Sequence, residues 1–134
     1  MVVQTGDAVT VDANTTIKSL TVQSGANLNI DANRWIKSTA GTSTINGTLN
    51  AADNSEFRIT EGTSATLALG GTASFWDFRS GMSTGVTVTG NMHIRGTLHV
   101  DDGNFDCTGA NVVLRSTATY TGRLGPVAPT ASYR

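Results

Sequence analysis

A short phrase recurs along this sequence, in which a glycine is followed by alternating apolar and polar residues. Clear copies read GANLNI at residues 25–30, GTLNA at 47–51 and GTLHV at 96–100, and a looser copy reads GANVVL at 109–114. Such alternation predicts a strand with one buried face, because successive side chains of a strand point to opposite sides. A unit this short cannot bury its apolar residues alone, so the copies must stack on one another.

The spacing of the apolar residues indicates how the copies stack. Leu28, Leu49, Leu67 and Val86 are separated by 21, 18 and 19 residues, which is close to the length of one coil of a β-solenoid. We therefore expect Leu28, Leu49 and Leu67 to form one interior column. The predicted fold is all-β, a right-handed parallel β-helix of roughly six to seven short coils. An antiparallel β-sandwich is the alternative, because Asn-Gly and Gly-Asn pairs also signal hairpins.

The alternation also predicts which side chains point into the coils. These residues are apolar and share one phase along each predicted strand. The predicted inward residues are Val9, Val11, Ile17, Leu20, Val22, Leu28, Ile30, Ile45, Leu49, Ile59, Leu67, Leu69, Val86, Val88, Ile94, Leu98, Val100, Val112 and Leu114.

Composition supports strands and excludes several classes of partner. Thr, a good strand former, accounts for 22 of the 134 residues, whereas charged residues make up only 14%. The net charge is −1 and Lys and Arg are not clustered, so a nucleic-acid partner is not expected. No apolar run approaches the roughly 20 residues that span a bilayer, so membrane insertion is not expected either.

The sequence divides into a long repetitive part and a short tail. We expect residues 1–125 to form the solenoid and residues 126–134 to form a C-terminal tail or a linker. The only two prolines, Pro126 and Pro129, lie in that tail. We expect the natural chain to continue beyond Arg134 into a neighbouring module.

Three segments carry a resemblance to a known group of proteins. They are GDAVTV at residues 6–11, IKSLTVQSGANLNI at 17–30 and NGTLN at 46–50. They resemble the opening coils of large secreted surface proteins of the Bacteroidota, and the stretch at 114–127 resembles the segment that ends such solenoids. The middle of the chain, residues 55–81, departs from the pattern. The resemblance implies a β-solenoid and export by the type IX system to the cell surface or beyond.

An acidic turn is the candidate metal site. Asp101, Asp102, Asn104 and Asp106 surround Gly103, and Ca²⁺ prefers several oxygen ligands on a loop that can wrap around it. The turn lacks the twelve-residue spacing and the terminal Glu of an EF-hand. A polar corner of the solenoid is therefore the other interpretation, and no other cofactor is expected.

The segment around Trp76 is the candidate carbohydrate site. An exposed Trp76 would stack on a sugar ring, with Asp77 and Arg79 beside it, and Trp35 is a second aromatic platform. No spacing of carboxylates identifies the catalytic pair that glycoside hydrolysis requires. The alternative is that the aromatic residues of this segment pack inside a coil. Outward threonines, among them Thr87, would suit a glycan or ice surface if they formed regular ladders.

These observations predict a structural protein. We expect a non-catalytic module of an extracellular or cell-surface protein, acting as stalk, spacer, adhesin or filament building block. Its expected partners are copies of itself or neighbouring modules, because open solenoid ends expose strand edges. The alternative function is a β-helix that binds carbohydrate or processes polysaccharide on its lateral face, with extracellular glycans as partners.

Overall fold

The protein is an all-β parallel β-solenoid of about five turns. The computed structural model describes residues 1–115, 123–127 and 132–133. The predicted parallel β-helix is confirmed, with slightly fewer coils than expected. The strands are β1 (Val2–Val3), β2 (Ala8–Val11), β3 (Thr15–Ile17), β4 (Thr21–Val22), β5 (Asn27–Ile30), β6 (Trp35–Ser38), β7 (Gly41–Ile45), β8 (Thr48–Ala51), β9 (Glu56–Thr60), β10 (Ser64–Phe75), β11 (Asp77–Ile94), β12 (Thr97–Leu114), β13 (Arg123–Val127) and β14 (Ser132–Tyr133).

Each coil has three faces. The first face stacks β1, β4, β7, the start of β10, the middle of β11 and the middle of β12. The second face stacks β2, β5 and β8, followed by the ends of β10, β11 and β12. The third face stacks β3, β6, β9 and the starts of β11 and β12. All these pairs are parallel, which rules out the antiparallel sandwich.

The core runs through the centre of the stack. The predicted inward residues are buried, except for Val9, Ile17, Val112 and Leu114, which are partly buried and pack against the core. Four aromatic residues fill the wider middle coils, and their neighbouring ring centroids lie 5.5 to 6.0 Å apart. They are Phe57, Phe75, Phe78 and Phe105, all fully buried.

The predicted interior column is only partly correct. Leu28 does stack on Leu49, but the next residue of this column is Ala73. Leu67 lies on the first face, where it pairs with Ser43. The step from Leu49 to Ala73 is 24 residues long, because residues 61–63 lengthen the corner between β9 and β10. A constant coil length therefore assigns Leu67 to the wrong face.

Glycines form the corner between the first and second faces. A Cβ atom on Gly47 would overlap with the backbone carbonyl oxygens of Gln23 and Ala26. A Cβ on Gly71 would overlap with the carbonyl oxygen of Gly47 in the same way. The corner glycines thus let backbones of successive coils approach closely.

The C-terminal strands extend the stack. Both β13 and β14 pair with β12, so the predicted boundary after residue 125 falls inside β13. Pro126 lies in β13, whereas Pro129 lies outside the described residues. The stretch at 114–127 that carries the resemblance is described only at 114–115 and 123–127.

Candidate functional site

The third face carries most of the charged side chains that form ion pairs. Two outward rows run along its strands, one rung after another at about 4.8 Å per rung. We call these two rows the third-face ladder. One row consists of Trp35, Glu56, Asp77 and Thr97, and the other of Lys37, Arg58, Arg79 and His99.

Ion pairs join successive rungs of the ladder. Glu56 accepts hydrogen bonds from the Nε atoms of both Arg58 and Arg79, and the Arg79 Nε lies 2.6 Å from the Glu56 Oε1. Arg79 also donates from Nη1 to the Oδ2 of Asp101, at 2.5 Å. Lys37 pairs with Glu61 at 2.8 Å. The cations of this face are therefore largely neutralised by carboxylates of the same chain.

Trp35 lies at the start of the ladder and is half-buried. The guanidinium carbon of Arg58 lies 4.8 Å from the centroid of its ring, and the Nζ of Lys37 lies 5.9 Å from it. Such cation–π contacts hold the ring against the face. The indole is thus partly covered by two cationic side chains of its own chain.

Asp77 is the carboxylate of the ladder whose titration is perturbed. Burial raises its pKa, a hydrogen bond from the Thr97 backbone N–H to its Oδ1 at 2.5 Å opposes that rise, and the net pKa is raised. For Arg79, burial alone would lower the pKa, but its hydrogen bonds to Asp101 and Glu56 outweigh burial and raise it.

Trp76 does not belong to this surface. It lies at the corner between β10 and β11 and is only 8% exposed. The guanidinium carbon of Arg95 lies 5.4 Å from the centroid of its ring. Arg95 also binds the carbonyl of Ala51 and, at 3.2 Å, the Oδ1 of Asp53. Of the four predicted carbohydrate-site residues, Trp35, Asp77 and Arg79 thus share a face, and Trp76 lacks the exposure that stacking on a sugar requires.

The acidic turn is a corner between the third and first faces. Asp101 pairs with Arg79, and the Oδ1 of Asp102 accepts the N–H of Gly103 at 2.9 Å. Asn104 and Asp106 lie past the corner on the first face, and the Oδ1 of Asp106 accepts the N–H of Thr108 at 3.0 Å. Within the described residues, no three His, Cys, Asp or Glu side chains are grouped to hold a metal ion.

A groove of about 370 Å³ opens at the start of the first face. We call it the first-face groove. It lies next to the acidic turn and crosses four successive rungs. Its lining residues are Gly41, Thr42, Ser64, Ala65, Thr66, Thr84, Gly85, Val86, Thr87, Asn104 and Asp106.

The sequence analysis missed the third-face ladder, although a signal for it exists. The triplets WIK at 35–37, EFR at 56–58, DFR at 77–79 and TLH at 97–99 each place an apolar residue between two polar or amphipathic ones. They begin 21, 21 and 20 residues apart, which is a more regular spacing than that of the leucines. Aligning these triplets would have placed Glu56 and Arg58 beside Asp77 and Arg79.

Comparisons with protein-family models, curated proteins and solved structures found no match to this chain. In the part of the chain that the structure describes, no helix has the length and apolar character needed to cross a membrane.

Proposed function

We propose that this chain is a non-catalytic structural module, a stiff stack of coils that serves as stalk, spacer, adhesin or filament block. The observation that carries the proposal is the open strand edge of the first coil. In the described residues, β1, β2 and β3 each pair with the second coil and with no other strand. An unpaired edge of this kind is a template for a further strand.

The backbone geometry of β2 indicates which groups the open edge presents. The carbonyls of Asp7 and Val11 accept hydrogen bonds from Asn27 and Asp31 of the second coil, at 2.8 and 3.1 Å. Alternate residues of a parallel strand direct their backbone groups to the same side. The N–H and C=O of Thr10 therefore point to the open side, where a coil of a second copy or of a neighbouring module would pair with them.

The third-face ladder supports the same role. Its charged side chains join one rung to the next, and a rigid spacer needs such bonds along its length. The apolar column inside the coils acts in parallel, because each buried residue contacts the coils on both sides. Neither feature requires a ligand or a reaction.

We place this module outside the cell, in a surface or secreted protein of the Bacteroidota exported by the type IX system. The support is the resemblance of residues 6–11, 17–30 and 46–50 to the opening coils of such proteins. In the source organism, surface labelling of intact cells with an antibody against the module, compared with lysed cells, tests the location. Staining only after lysis would contradict it.

End-to-end association is tested with a matched pair of variants. Thr10→Pro removes the open N–H without removing a bond to the second coil, whereas Thr10→Val keeps it. We expect sedimentation velocity and negative-stain microscopy to show concentration-dependent linear assemblies for the wild type and Thr10→Val. Thr10→Pro should remain monomeric. A wild type that is monomeric at all concentrations would remove the filament version of the proposal.

Carbohydrate recognition on the third face is the second candidate function. The half-buried ring of Trp35 shares this face with Glu56 and Asp77, which gives an aromatic surface next to carboxylates. A glycan array, combined with lyase and hydrolase assays, tests it with Trp35→Ala as the variant. Absence of binding to every acidic and neutral glycan would rule this function out.

A further inference from the structure

The first-face groove combines a fixed floor with a polar rim. Ala65 and Val86 belong to the apolar interior below it, and both are buried. Gly85 has a φ of +137°, and a Cβ placed on it would overlap with the backbone of Asn104. This position therefore stays without a side chain, which leaves a gap in the row that Ser64 and Asn104 flank.

The rim side chains are held at regular intervals by the sheet. Thr42 pairs with Thr66, Thr66 with Thr87, and Thr87 with Asp106. Neighbouring strands of a sheet lie about 4.8 Å apart, so these side chains repeat at that interval along the solenoid axis. Because the strands are paired on both sides, the rim needs little reorganisation to meet a ligand.

The chemistry of the lining selects one class of ligand. It offers five hydroxyl groups, one amide and one carboxylate, and it includes no Lys, Arg or aromatic side chain. Hydroxyls both donate and accept hydrogen bonds, and they match the hydroxyls of a sugar in either sense. Asp106 disfavours an anion, and one carboxylate is too few for Ca²⁺, which takes six to eight oxygen ligands.

We propose that the first-face groove binds a neutral oligosaccharide whose chain lies across the rungs, with its hydroxyls bonded to Thr66, Thr87, Asn104 and Asp106. The volume falls within the range of small-molecule sites, about 300–1,000 Å³. This site is on a different face from Trp35 and does not depend on the structural role. A binding module of this kind would attach the stack to a glycan surface.

The test uses immobilised neutral gluco-, manno-, xylo- and galacto-oligosaccharides as probes, with polygalacturonate and alginate as acidic probes. Binding of the full chain is measured first, and the strongest probe is then titrated by calorimetry. The groove variant is Thr66→Val with Thr87→Val, which removes two hydroxyls while keeping β-branched side chains. The matched control is Thr10→Val on the second face, and thermal unfolding checks that each variant is folded.

We expect the wild type and Thr10→Val to bind a neutral probe equally. The double variant should bind about ten-fold more weakly, since each lost hydrogen bond weakens binding several-fold. Asp106→Asn should relax the exclusion of the acidic probes. The proposal is overturned if no neutral probe binds, if only acidic probes bind, or if the double variant binds as tightly as the wild type. Loss of binding in Trp35→Ala alone would also overturn it and assign recognition to the third face.

Discussion

The Nε of Arg79 lies 2.6 Å from the Oε1 of Glu56 in the preceding coil, and its Nη1 lies 2.5 Å from the Oδ2 of Asp101 in the following coil. One guanidinium thus connects three successive coils. Glu56 is the more buried partner, with 13% of its side chain exposed. Losing Arg79 would leave this carboxylate with Arg58 as its remaining ion-pair partner.

Replacing Arg79 should therefore destabilise the stack. We expect Arg79→Ala to lower the free energy of unfolding by about 1–2 kcal/mol, because hydrogen bonds to charged, partly buried groups contribute more than exposed ion pairs do. Urea denaturation measures this, with the exposed Lys18→Ala as control. The difference should shrink in about 1 M salt, which screens the partly exposed pairs. Equal effects of the two variants would show that the bridge adds no stability.

The interior column gives a prediction that compares the two sides of one strand. Leu49 is fully buried and stacks between Leu28 and Ala73. We expect Leu49→Ala to cost about 2–5 kcal/mol, because the coils on both sides only partly fill the cavity. The outward neighbour Asn50 is exposed, so Asn50→Thr should change stability by less than about 0.5 kcal/mol. Chemical denaturation of both variants decides the phase of β8. A larger loss for Asn50→Thr would mean that the assigned phase is reversed.

The glycine corner gives a prediction about backbone packing. A Cβ on Gly47 would overlap with two carbonyl oxygens that belong to the preceding coil. We expect Gly47→Ala to cost more than about 2 kcal/mol, because backbone atoms must move to admit the methyl group. The adjacent Thr48→Ala is the control, since it removes an outward side chain from the same strand. Thermal unfolding midpoints within a degree or two of each other would contradict the close approach of these coils.

The in-and-out phase of the strands could be predicted from the sequence, because a period of two follows from backbone geometry alone. Leu28, Leu49 and Leu98 are buried as that period requires. The parallel stacking also followed, since short alternating phrases must share a core. Both inferences depend on local sequence and on one general fact about strands.

The lateral register could not be predicted, because it depends on the length of each corner. The corner between β10 and β11 contains a single residue, Trp76, so two consecutive residues, Phe75 and Trp76, are both buried. Alternation does not describe a corner, and it therefore gave no warning that Trp76 is inaccessible. The first-face groove was missed for the same reason, because its residues come from four separate coils.

The pH dependence of stability tests the environment of Asp77. Burial raises the pKa of this carboxyl group above its usual value of 3.8, so the folded state binds the proton more tightly than the unfolded state does. The charged form thus costs stability at neutral pH. That cost is relieved as the pH falls through the raised folded-state pKa, and it stops changing below the unfolded-state pKa.

Asp77→Asn should remove this cost while keeping an oxygen that accepts the N–H of Thr97. We expect the variant to be more stable than the wild type at neutral pH, and this advantage should diminish as the pH falls toward the usual aspartate pKa. Urea denaturation at a series of pH values measures the difference, and the exposed Asp12→Asn serves as control. The subtraction cancels the other carboxylates, which titrate in both proteins. If Asp77→Asn were the less stable protein at neutral pH, the attraction of Arg79 and the Thr97 hydrogen bond would outweigh burial, and the folded-state pKa of Asp77 would be lowered instead.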